Sequence, residues 1–167
     1  MKLSSELAEA EVNPNCCPGK WQQSICRGNT EFTLKFFGNA ILLYNQALDQ
    51  ALHDFKSTSL KSPDQAISQV LIAQFNLADS YIALEEYDRA CDYYIAALDY
   101  LIKISQFDLS PTDSYMSAVM HAFGHAKMLW ADFLKKHGNK VNHSRLGEFH
   151  QAANILCNKE IQIAVRH

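Results

Sequence analysis

The chain has 167 residues, 48% of them hydrophobic and 20% charged, with four prolines, six glycines and a net charge of -3. This excludes a wholly disordered chain, since there is enough apolar surface to offset the entropy of ordering, and it excludes a collagen-like or linker-rich one. The acidic balance carries no electrostatic footprint for nucleic acid, and the length fits roughly one domain.

Met1 to about residue 17 is polar and without sustained periodicity. It reads as a mobile tail, with a turn at Pro14 and around Cys16-Cys17-Pro18-Gly19. It lacks the apolar run of a secretory signal, and no stretch approaches the roughly 18 apolar residues of a membrane-spanning helix, so a cytoplasmic protein with no membrane contact is expected. From residue 18 onward one domain is expected. Its apolar residues recur with the 3.6-residue period of a helix, and no segment alternates long enough to make a strand. Six helices are expected near 19–33, 37–57, 63–84, 87–106, 111–137 and 143–165. Ser62-Pro63-Asp64-Gln65 reads as a helix start, with Ser62 as cap, Pro63 at the first position and Gln65 closing a capping box. Ser110-Pro111-Thr112-Asp113 repeats the device, Gly138-Asn139 reads as a stop, and the stretch from Asn142 to Ser144 can cap the last helix. Short connections make neighbouring helices antiparallel, giving three helical hairpins.

Residues 71–98 carry a specific pattern: Leu77-Ala78, Tyr81, Tyr87, Ala90, Tyr94 and Ala97-Leu98. Small residues let two helices approach, and aromatics fill the space between them. The stretch resembles the tetratricopeptide repeat, a two-helix unit of about 34 residues. Residues 21–48 resemble it too, through Gly28-Asn29, Phe32, Phe37, Ala40-Ile41, Tyr44 and Ala47-Leu48, fifty residues earlier. Here Arg27 stands in the usual Leu place and Glu31 in the usual Tyr place, and Ile102 replaces the closing Pro of the second unit. The third hairpin keeps only an apolar stripe of Tyr115, Val119, Ala122, Ala126, Leu129 and Phe133. The resemblance implies an all-α fold, with three antiparallel hairpins stacked as a short right-handed superhelix.

In the tetratricopeptide family the surface lined by the first helix of each pair binds a peptide. Carried over, the groove positions are Ile25, Asn29, Phe32 and Thr33, then Phe75, Asp79, Ile82 and Ala83. By helical phase His121, His125 and Met128 share a face of the fifth helix and complete the groove. Some relatives clamp a chaperone's C-terminal carboxylate. Ile25, Phe75 and Asp79 do not suit that, and fit an apolar segment with a basic residue. The expectation is a non-enzymatic interaction module with a protein or peptide partner and no cofactor, with room for self-association that buries a free end. A small secretion-type chaperone of the same architecture is the alternative.

No phosphate loop, dinucleotide glycine pattern or nucleophile elbow is present. His121 and His125, four residues apart, share one helix face as two metal ligands would, and His143, His150 or Cys157 offers a third. Two polar histidines flanking an apolar stripe are the plainer account of the pair, and a helical metal-binding protein using them stands as a further alternative. Cys16, Cys17 and Cys26 lack the usual ligand spacing, and Cys91 and Cys157 read as small buried hydrophobes.

Overall fold

The computed structural model describes residues 19–59, 61–106 and 113–164. The expected tail, with Pro14, Cys16 and Cys17, and the Ser110-Pro111-Thr112 start lie outside the described residues. Six α-helices pack together: α1 Lys20–Thr33, α2 Phe37–Ser59, α3 Pro63–Ala83, α4 Tyr87–Ile104, α5 Asp113–His137 and α6 His143–Ala164. A short 3₁₀ turn, Gly138–Lys140, links the last two. Where a helix boundary falls among the described residues, it lies within two residues of that expected from periodicity, because punctuation is local chemistry. Pro63 opens α3 as expected, but the Ser62 side chain makes no capping hydrogen bond. The Ser62 carbonyl instead accepts from the Ala66 amide at 3.1 Å. At α6 the Asn142 Oδ1 does cap, accepting from the Ser144 amide at 3.1 Å.

The second helix pair repeats the first at an offset of fifty residues, down to single hydrogen bonds. At the end of α1 the Lys35 amide donates to the Phe32 carbonyl and the Phe36 amide to the Glu31 carbonyl, both at 2.9 Å. At the end of α3 the Glu85 amide donates to Ile82 at 3.0 Å and the Glu86 amide to Tyr81 at 2.9 Å. This is the paired closure of a Schellman motif, which needs a left-handed residue between helix and exit. Lys35 (φ 65°) and Glu85 (φ 60°) supply it, although neither is glycine. A side chain in this region costs about 1–2 kcal/mol, less the entropy that glycine loses on folding. Glu85→Gly should therefore raise stability by about 0.5–1 kcal/mol, read as a melting temperature about 1–4 °C higher. An unchanged or lower value would show that the Glu85 side chain contributes more than its strain costs.

The pairs α1–α2 and α3–α4 are antiparallel. Contacts in the first run from Phe32 with Phe37, through Glu31 with Asn39, to Asn29 with Tyr44. A small cluster of Ile25, Ala40, Tyr44, Ala47, Ala73 and Leu77 joins α1, α2 and α3. The Trp21 indole N–H adds a bond to the Gln69 carbonyl at 3.2 Å. A larger core gathers α3 to α6 around Tyr94, whose ring meets Phe75, Trp130 and Phe133 at 5.7, 5.6 and 5.1 Å between centroids.

Two features depend on neighbours rather than on local sequence. The departures at Arg27 and Glu31 belong to the outer flank of the first pair. Fifty residues on, Ala73 and Leu77 are fully buried against α2, while Gln23 and Arg27 are exposed because no described helix precedes α1. Secondly, α6 packs chiefly against α4 and only slightly against α5. It runs parallel to α4: the Asn142 amide donates to Asp88 Oδ1 at 2.9 Å and Arg145 pairs with Asp92 at 3.3 Å. Lys140 donates to the Tyr87 hydroxyl at 3.0 Å, and His137 stacks on Tyr87. The link between α5 and α6 is aromatic, with Trp130 stacked on Phe149 at 3.9 Å. Of the expected α5 stripe, Tyr115, Val119, Ala126 and Phe133 are buried, and Phe123 and Trp130 join them.

Candidate functional site

The face that draws polar groups together is built from α1, α3 and α5, with Tyr44 of α2 and Tyr94 of α4 beneath. Its α1 element is Asn29, whose Oδ1 accepts from the Tyr44 hydroxyl at 2.8 Å. The Tyr44 ring rests on Gly28, where a Cβ would come within 2.5 Å of the ring. Burial first, and then the negative charge of Asp79, push the Tyr44 phenol above its ordinary range, so it stays a neutral donor.

Asp79 stands fifty residues after Asn29 and Tyr94 fifty after Tyr44, but this pair is not closed. Among the described residues no hydrogen-bond donor and no ion-pair partner reaches the Asp79 carboxylate. It is half-buried, and its pKa is pushed up to about 6, chiefly by burial, with Lys136 opposing the rise and Asp132 adding to it. Lys136 is itself engaged one turn away in an ion pair with Asp132. His125 is half-buried with its ring edge toward Phe75, 6.2 Å between centroids. Burial, and then the neighbouring His121, hold His125 below the usual histidine range, so it is neutral at physiological pH.

The expected groove residues divide into three groups. Asn29, Asp79 and His125 are half-buried on or beside this face, while Thr33, Ala83, His121 and Met128 are exposed, Met128 at 68%. Phe32 and Ile82 are half-buried, Phe32 meeting Phe37 edge to face. Ile25 and Phe75 are turned into the two cores, at 6% and 8% exposure, where a partner reaches little of either. Helical phase puts them on a groove because one period cannot separate a groove position from a packing position. Asp132 and Lys136 were missed. Their signal was present in the sequence, since they follow His125 and Met128 down the same side of α5. A shallow depression among Arg27, Glu31, Asn39, Leu42, Leu43 and Gln46 lies on the opposite flank of α1 from Asn29.

Among the described residues no three His, Cys, Asp or Glu side chains converge as metal ligands. The His143 side chain lies outside the described residues, His150 is exposed, and Cys157 is half-buried against the larger core. Cys26 is an exposed free thiol, while burial pushes the Cys91 thiol up to about 12, which leaves it inert. Among the described residues no helix is long and apolar enough to cross a membrane.

No match was found among curated proteins or among solved structures. Residues 19–166 match the family described as protein of unknown function, DUF2753. That match spans most of the chain, which therefore belongs to the DUF2753 family.

Proposed function

We propose that this chain is a tetratricopeptide-like interaction module. Its three helix pairs form a short stack, and a segment of another protein lies across α1, α3 and α5. The observation that carries the reading is Asp79. A half-buried carboxylate without a partner destabilises the fold, and such groups concentrate where a ligand completes them. The fifty-residue repetition of both turns, with the small and aromatic positions between them, supports the architecture. The exposed Met128 and His121 supply an apolar and a polar contact at the edge of the same face.

The test is affinity capture from a lysate of the source organism, with variants confined to exposed or half-exposed positions. Phe75→Ala is unsuitable because it would hollow the core. Asp79→Lys combined with Met128→Ala keeps the packing and reverses the charge. A partner held by the wild-type chain and lost by this variant, at unchanged helix content, is the expected result. A captured set identical for both, or no specific capture, would sink the reading.

A further inference from the structure

We propose that the segment recognised by the α1/α3/α5 face is basic, and that one of its lysine or arginine side chains seats on the Asp79 carboxylate. This rests on the functional reading above and gives its partner a chemistry. The first argument is the molecule's own internal comparison. Asn29 and Asp79 occupy equivalent places, each facing a tyrosine fifteen residues later. In the first unit the tyrosine hydroxyl satisfies the amide at 2.8 Å, whereas in the second no donor among the described residues bonds the carboxylate.

The second argument is charge. Asp79 and Asp132 both stand on this face, and among the described residues the one cation that acts on Asp79, Lys136, is paired with Asp132. His125 is neutral, and His121 has its neighbourly effect on His125 rather than on Asp79. An arriving cation is therefore attracted by both carboxylates. A C-terminal carboxylate, an acidic segment or a nucleic-acid backbone is repelled. The third is shape. The carboxylate sits within a turn of the half-buried Ile82, so the methylene stem of Lys or Arg finds apolar surface beside the charge. A metal ion is the poorer occupant, since no third ligand converges there among the described residues.

The experiment is selection of a random peptide library, displayed on phage, against the full chain and against Asp79→Asn. Hydrogen exchange then locates the bound peptides. Selected peptides should be enriched in Lys and Arg over the unselected library and should protect α1, α3 and α5. They should bind Asp79→Asn about tenfold to a hundredfold more weakly, the range expected for losing one charge-assisted bond. Asp79→Glu should keep the basic preference, which separates charge from shape. Peptides that protect this face but carry no basic enrichment, or bind both chains equally, would overturn the Asp79 subsite and leave the interaction reading standing. If no peptide protects the face, both fall.

Discussion

Asp79→Asn should make the protein more stable at pH 7.5 and leave it unchanged near pH 3. The folded-state pKa of about 6 lies above the unfolded value of 3.8, so folding favours the protonated carboxyl. Below the unfolded value both states are protonated and the group has no effect. As pH rises from about 4 to about 6 the unfolded chain ionises freely while the folded one resists, and stability falls. Above about 6 the whole penalty is present. Two pKa units correspond to about 3 kcal/mol, and the partial exposure of the side chain reduces this to about 1–3 kcal/mol. Asparagine keeps the shape and removes the charge. The expected gain is a melting temperature about 3–10 °C higher at pH 7.5, shrinking steadily as pH falls. Equal melting temperatures at both pH values would mean that the carboxylate is solvated in the folded state. A variant that is more stable yet loses its peptides would also show that the destabilising charge belongs to binding.

Gly28→Val should cost about 3 kcal/mol, and Gly28→Ala about 1–2 kcal/mol, although alanine is the better helix former by about 1 kcal/mol. A Cβ at residue 28 would lie 2.5 Å from Tyr44 Cε1 and 2.8 Å from Cδ1. The ring cannot swing away, since it is 2% exposed and its hydroxyl is tied to Asn29. Denaturant midpoints of Gly28→Ala, Tyr44→Ala and the double variant test this. The cost of Gly28→Ala should vanish once the ring is gone, a non-additivity that contact requires. Additive costs would mean that the glycine is needed for something other than the tyrosine. Ala78, the equivalent of Gly28, carries a Cβ and is fully buried, so the second unit admits a methyl where the first does not.

That difference marks how far the residues could be read in order. The small residue at 28 and the aromatic at 44 were legible as a packing pair, since the motif is a packing motif. That a glycine and not merely a small residue is required there follows from the distance between two helices, which the pattern does not contain. The candidate site was legible to a lesser depth. Phase along single helices selects Asn29, Asp79 and His125, which lie half-buried on α1, α3 and α5. Ile25 and Phe75 have the same phase but lie in the cores. Asp132 and Lys136 were overlooked because charged residues on an exposed stripe look alike until a neighbour from another helix is known.

Among the described residues, the number of helices, their ends to within two residues and the repetition at fifty residues could be read from residue order alone. These are local properties: a period of 3.6, a proline at a first turn, an asparagine cap, small and aromatic residues at fixed offsets. Packing alone settles that α6 lies chiefly along α4, that Arg27 is exposed where its counterpart Leu77 is buried, and that among the described residues no donor bonds Asp79 where Asn29 has one. Each of these depends on which helix covers which flank. Burial and charge pairing are sums over neighbours distant in sequence, and a helical period fixes a direction around one axis without saying what stands there.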